Sequence, residues 1–350
     1  MASSVAQRRR ARNSSQRHHG REVTYNWSQF PFVSWLIIVI CTCVFIVELA
    51  VAANFTGSPI QAKPKFNPMI GPSNYILISL GARFNPCMRP SNASEYAWPC
   101  PNSTASGDYT CSIQELCGNS LDNSWQSWRL FSAIFLHAGI LHFAFNMLAL
   151  FFLGCQLEKR MGHFFLLIIF IVSGVGGFVL SANYAPTGSC SVGASGACFG
   201  LIAIELLDLL LNWRAFRRPK AFLTILMLEL VGSFALGLLP GLDNFAHIGG
   251  FISGILCGLI LMRSPLKLRK DKTNHYIVRI NWDKPFSHFA ERTGGWWLWC
   301  VGRLVCLVLL VLYFVHFTAL FKSGKSNCSW CKYLSCIPVH GWCDTQISTI

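Results

Sequence analysis

Residues 189–207, SCSVGASGACFGLIAIELL, are small and polar at one end and as apolar as a lipid tail at the other. Ser195 stands at the join, flanked by Gly193 and Gly196, where a membrane helix is predicted to begin. Similar apolar runs recur along the 350 residues. The chain is 53% hydrophobic and only 13% charged, with a positive mean hydropathy. A soluble domain carries about 25% charged residues, so too few are present to cover a water-facing surface. A span needs about 20 predominantly apolar residues, and the candidates are 32–53, 139–154, 164–182, 195–211, 221–239, 245–262 and 297–320. Backbone groups in lipid need internal partners, and no alternating barrel pattern occurs. The expected fold class is therefore all-α: a polytopic membrane protein with a six-helix core and a C-terminal seventh transmembrane helix.

The net charge of +14 is distributed by topology. With loops numbered alternately inside and outside, the inner ones carry the arginines of 8–21, Lys159 and Arg160, Arg214 to Lys220, and the run from Arg263 to Arg292. The short outer loops 183–194 and 240–244 hold no Lys or Arg. This is the positive-inside pattern; it orients the N-terminus to the cytosol and the C-terminus outward, and it requires no nucleic-acid partner. Glycosylation sequons at Asn54, Asn92, Asn102 and Asn327 fall on the outer side. Matches at Asn13 and Asn26 fall inside, so the motif alone discriminates weakly. Cys87, Cys100, Cys111 and Cys117 cluster in the first outer loop, and Cys328, Cys331, Cys336 and Cys343 in the tail. They read as disulfides of open pairing. Zinc is the rival for the CxxC of Cys328 and Cys331, in the wrong redox compartment. The Arg- and Ser-rich leader resembles a mitochondrial transit peptide, but also a cytosolic anchor. The outer sequons and cysteines favour the secretory pathway, at the Golgi or plasma membrane.

The expected organisation is a basic cytosolic tail (1–31), a six-helix core (32–262) with a luminal loop (54–138), a basic cytosolic loop (263–295), the seventh helix (296–321) and a cysteine-rich luminal tail (322–350). Trp296, Trp297 and Trp299 mark the inner interface of the last helix. Segment 125–139 carries Arg129 and His137 within an apolar run, so it is expected to lie in the interface or half-insert rather than span.

Polar residues inside spans are functional candidates by default. Three segments hold them: HAGILHFAFN (137–146), VGASGACFG (192–200) and DNFAHIGGFISG (243–254). Helices two, four and six enter from the same face. At 1.5 Å per residue, His142, Asn146, Ser195 and His247 each lie within about 10 Å of a helix end on that face. Taken singly, each segment has a structural reading. GASGA with Gly200, and Gly250 with Gly254, fit small-xxx-small helix packing, and His142 with Asn146 fits an interhelical hydrogen-bonding pair. A metal site at His137, His142 and His247 lacks an HExxH motif or a neighbouring carboxylate, so neither metal nor cofactor is expected. Combined, they read as an acyl-transfer site. A serine at a helix N-terminus has free N–H groups for an oxyanion, and histidine is the usual base for a hydroxyl nucleophile. A soluble nucleophile elbow is excluded because Ala197 stands where GxSxG needs glycine.

Over nearly all of 32–262 the chain resembles the rhomboid intramembrane serine proteases. GASG at 193–196 matches the family's GxSG, AHIGGFISG at 246–254 its AHxxGxxxG, and HFAFN at 142–146 its HxxxN. Trp128-Arg129 matches a family pair, and EKRMG at 158–162 resembles the family's exit from helix two. The added seventh helix resembles the eukaryotic secretory type, and the cysteine-rich ends resemble plant members. The resemblance implies Ser195 as nucleophile and His247 as general base and then acid, without an aspartate. Asn146, His142 and the Ser195 N–H would form the oxyanion hole. Gly193 and Gly196 keep the site open, while Gly250 and Gly254 pack the catalytic helix. Phe199 replaces the tyrosine that stacks on the histidine in many members. Implied substrates are single-span membrane proteins cut near the outer face; the partners are these and the bilayer. Glu205, Asp208 and Glu229 read as structural or interfacial. The alternative is a catalytically silent relative that binds transmembrane clients and controls their trafficking, and a transporter is third. Oligomeric state is not legible.

Overall fold

The computed structural model describes residues 30–63, 66–89, 98–102, 110–118, 126–186, 188–213, 216–238, 242–262, 269–270, 276–277, 294–326, 328 and 330–335. The expectations for the basic leader, most of the loop 263–295, Asn92, Asn327, Cys336 and Cys343 lie outside the described residues.

Seven long helices order the described chain: α1 Phe32–Thr56, α2 Ile140–Met161, α3 His163–Tyr184, α4 Ser195–Leu211, α5 Pro219–Leu236, α6 Asn244–Leu261 and α7 Gly294–Ser323. Five of them, α1, α2, α3, α6 and α7, are long and apolar enough to cross a membrane. Their outward faces are apolar: Val39, Ile46, Phe152, Ile168 and Leu304 are exposed, as a lipid-facing surface requires.

The centre is built from α3, α4 and α6, joined along glycines. A Cβ on Gly250 would collide with the Gly196 carbonyl, one on Gly254 would meet the Gly200 backbone, and one on Gly177 would collide with Ala246. Close backbone approach replaces side-chain interdigitation here, because lipid supplies no hydrophobic drive between helices. Helix α7 is tied to this core by the Tyr313 hydroxyl, which donates to the Gly176 carbonyl at 2.7 Å, and by Asn183 Nδ2, which donates to Phe317 O at 2.9 Å.

Helix α2 runs past the span read from sequence, which stopped at Gly154. A π-turn over Leu150–Gly154 carries it on to Met161. Its polar end is satisfied by neighbours. Glu158 accepts the N–H groups of Val33 and Ser34, both at 2.7 Å, and so caps α1. Arg160 pairs with Glu205 and, at 2.9 Å, with Asp208. The EKRMG segment therefore staples α1, α2 and α4 at the face opposite the long loop. Glu205 and Asp208 sit in this staple.

The loop between α1 and α2 has a small core of its own, including Ile78, Phe84, Trp98, Ile113 and Leu116. Disulfides Cys87–Cys117 and Cys100–Cys111 close it, and Cys328–Cys331 closes a turn beyond α7. The tail CxxC is joined as a disulfide. Arg129 anchors the loop: its guanidinium donates to Gln126 Oε1, the Ile78 and Ala82 carbonyls and the Cys117 carbonyl. Burial pushes its pKa down to about 10, which leaves it cationic. The Trp128 ring packs against it at 4.9 Å. Removing the Cys87–Cys117 bridge by a double serine substitution is expected to cost about 3–4 kcal/mol of loop stability. Limited proteolysis of 54–138 reads that loss, the bridge spanning 30 residues.

Candidate active site

Three connections bring the site together. Gly193 takes φ 121°, a left-handed conformation available to glycine at no steric cost, and its N–H donates to Ala133 O at 2.8 Å. This turns the chain so that Ser195 opens α4. On α6, the Asp243 side chain accepts the Ala246 N–H at 3.1 Å as an N-cap, which places His247 in the first turn. The Gly196–Gly250 approach then brings the two helices into register. Ser195 Oγ lies 2.9 Å from His247 Nε2, within hydrogen-bonding reach.

His247 is buried and its ring is clamped by aromatics. Phe199 stacks on it with centroids 4.3 Å apart and planes at 12°, and Phe234 of α5 meets it edge-on at 6.5 Å. The ring of Phe199 thus supplies stacking without a hydroxyl. His247 Nδ1 has no hydrogen-bond partner among the described residues.

On the facing helix, His142 and Asn146 are buried one turn apart. His142 Nδ1 accepts the Ala138 N–H across a long 3.5 Å, which puts the ring proton on Nε2. That Nε2 and Asn146 Nδ2 are both buried without partners among the described residues. They point at the turn before the serine: a Cβ on Gly193 would lie 2.7 Å from His142 Nε2 and 3.4 Å from Asn146 Nδ2. Buried orphan donors are rare and costly, and two of them aimed at one place suit an incoming oxyanion.

His137 lies behind His142, ring centroids 5.6 Å apart, and its N–H donates to the Glu48 carboxylate at 3.1 Å. Burial first, and His142 second, push its pKa down to about 3, so it is neutral. Among the described residues no cluster of metal-ligating side chains occurs.

Sequence reasoning missed a cluster beside the Ser195–His247 contact, around Asp243, four residues before His247. Arg83, fully buried, donates to Asn85 Oδ1 at 3.3 Å, Ser189 Oγ at 3.2 Å and Asp243 Oδ2 at 3.4 Å. Ser181 and Ser191 donate to the same oxygen of Asp243, the latter at 2.6 Å. Burial opposes ionisation of Asp243, but Arg83, the two hydroxyls and the Ala246 N–H outweigh it and hold the carboxyl below its usual range. The position of Asp243 as α6 N-cap was the available signal; nothing local to Arg83 pointed to it.

Apolar helices around a half-buried serine in contact with a buried histidine define a membrane-embedded protein with serine-hydrolase geometry. The Rhomboid domain family model matches residues 124–264. Rhomboid-type serine protease 2 of Emericella nidulans is 40% identical over 90% of this chain and 72% of its own. RHOMBOID-like protein 4 of Arabidopsis thaliana is 31% identical over 94% of this chain and 75% of its own. Inactive RHOMBOID-like protein 8 of Arabidopsis thaliana is 28% identical, covering 67% and 66%. The chain belongs to the rhomboid family of serine proteases.

Proposed function

We propose that this chain is an intramembrane endopeptidase that cuts single-span membrane proteins near the luminal or extracellular face through a Ser195–His247 dyad. The carrying observation is the 2.9 Å contact between Ser195 Oγ and His247 Nε2 beneath two buried, unpartnered donors. Ser195 Oγ attacks the scissile carbonyl and its proton passes to His247 Nε2. The oxyanion accepts from His142 Nε2, Asn146 Nδ2 and the Ser195 N–H at the positive end of α4. Collapse expels the amine, which takes the proton from His247 and leaves an acyl-enzyme on Ser195. Water, deprotonated by His247, then hydrolyses the ester. The substrate helix must unwind to present its carbonyl, so small or helix-breaking residues at the cut are favoured.

Charge asymmetry supports a cytosolic N-terminus and a luminal or extracellular C-terminus, and the outer sequons and cysteines support secretory membranes such as the Golgi or plasma membrane. The charge asymmetry also supports the division into basic tail, six-helix core, basic loop, seventh helix and luminal tail. Glycosylation at the outer sequons belongs to the same reading. A silent, client-binding relative is the competing function, since one similar protein is named inactive. Retention of both Ser195 and His247 favours the enzyme.

The test is co-expression with a tagged single-span reporter panel. Wild type releases the reporter ectodomain and Ser195→Ala does not; equal release by both overturns the reading. Asn146→Ala is expected to lower kcat by about 10²–10³-fold, as loss of one oxyanion donor does. Single-turnover cleavage of the same reporter measures it.

A further inference from the structure

The dyad raises a geometric problem. His247 Nδ1 has no partner among the described residues, so no third side chain aims the imidazole through a hydrogen bond. Stacking on Phe199 fixes the plane of the ring, but it does not fix the spacing of the helices that carry the two groups. That spacing is bridged beside the dyad. Ser191 lies four residues before Ser195, and Asp243 lies four residues before His247. Ser191 Oγ donates directly to Asp243 Oδ2 at 2.6 Å. The same oxygen accepts from Ser181 at the end of α3 and from Arg83 of the long loop. Arg83 in turn pairs its backbone with Ser191, N–H to carbonyl both ways at 3.0 Å. One carboxylate therefore touches the approach to the nucleophile, the cap of the base-bearing helix, the end of α3 and the loop.

We propose that Asp243 is the positioning residue of the dyad, and that Arg83 and Ser191 complete a clamp that sets the Ser195–His247 distance. Asp243 does not reach the reacting atoms; it works through both. The inference rests on the dyad reading of the preceding section. The clamp has the right anatomy for this work. Arg83 is fully buried and Asp243 is 14% exposed on its side chain, so the pair is held out of bulk water. A buried carboxylate with several donors is rigid, because losing any one of them leaves a polar group unsatisfied. It also couples the loop to catalysis: Arg83 lies four residues before Cys87, which is tied to Cys117. Loosening the clamp shifts one reacting group relative to the other, and a misplacement of about 1 Å costs roughly 10²-fold in rate. Displacement of the reacting groups lowers transition-state stabilisation, so the loss is expected in kcat with KM spared.

The experiment uses the full chain purified in detergent micelles, a single-span reporter, and a fluorophosphonate that labels an activated serine. Asp243→Asn, Arg83→Gln, Ser191→Ala and the Asp243→Asn/Arg83→Gln double variant are compared with wild type and with Ser195→Ala. Each is assayed well below its own melting temperature. Asp243→Asn is expected to lose about 10²-fold in kcat with KM within about twofold, and to label correspondingly slowly. The double variant is expected to be no worse than the worse single one, because the residues act as one unit. Where Asp243→Asn fails to fold, Ser191→Ala carries the test: it removes one neutral hydroxyl and is expected to lose about tenfold in kcat at unchanged KM. A folded Asp243→Asn or Ser191→Ala enzyme with kcat within twofold of wild type overturns the clamp. So does a loss that appears in KM alone. If Ser195→Ala abolishes cleavage while the clamp variants stay fully active, the protease reading stands and only the clamp falls. If Ser195→Ala still cuts, the dyad falls and the clamp with it.

Discussion

His247→Ala is expected to lower kcat by about 10⁴–10⁶-fold, Ser195→Ala by a similar factor, and the double variant no further. The reason is that in the proposed mechanism the two side chains perform one step. Without His247 no base takes the proton from Ser195 Oγ, and without Ser195 the base has nothing to activate at 2.9 Å. The residual rate comes from the oxyanion donors and from substrate binding, which both variants keep. Cleavage of a purified single-span reporter, followed over days for the slow variants, measures these factors. Multiplicative losses in the double variant, or a His247→Ala enzyme within tenfold of wild type, would contradict concerted action.

Gly250→Ala is expected to cost about 1–3 kcal/mol of stability by overpacking, and roughly 10²-fold in activity by displacement of the dyad. The added methyl would run into the Gly196 carbonyl, one residue from Ser195. Neither partner is the flexible end of a side chain, so the strain moves α4 against α6. Gly302→Ala is the matched control, since a Cβ there meets nothing within 4 Å. It is expected to leave kcat unchanged and to hold or slightly raise the melting temperature, since Ala is favoured over Gly in a helix interior by about 0.5–1 kcal/mol. Thermal unfolding in micelles and reporter turnover distinguish the pair. A Gly250→Ala protein with wild-type turnover would show that the seam is not what holds the dyad together.

How much of this was legible in the sequence differs by kind of feature. Apolar runs and the glycine spacings are local patterns, and the α4–α6 seam follows from them because only glycine permits such approach; the part that Gly177 of α3 plays against Ala246 was not read from them. Ser195, His247, His142 and Asn146 were legible as residues sharing one depth; the structure brings them to one turn of chain. Trp128-Arg129 was legible as a pair, but its work was not. Arg129 holds backbone carbonyls of the loop rather than facing the reacting atoms. The disulfide pairing was not legible, since four cysteines allow three connectivities. Nor was the end of α2. Gly154 reads as a terminator, yet the helix passes it because Glu158 and Arg160 find partners on α1 and α4. The Arg83–Asp243 contact spans 160 residues and joins two positions with no shared pattern, so no local signal could announce it.

Everything in the proposed chemistry turns on Ser195 being a nucleophile activated by His247. The measurement is mass-spectrometric mapping of the fluorophosphonate adduct on the full-length protein in micelles, for wild type and His247→Ala. One phosphonylated serine, Ser195, is expected in wild type, and no adduct on the same time scale in His247→Ala. An adduct on another serine, or equal labelling of Ser195 without His247, would contradict that activation.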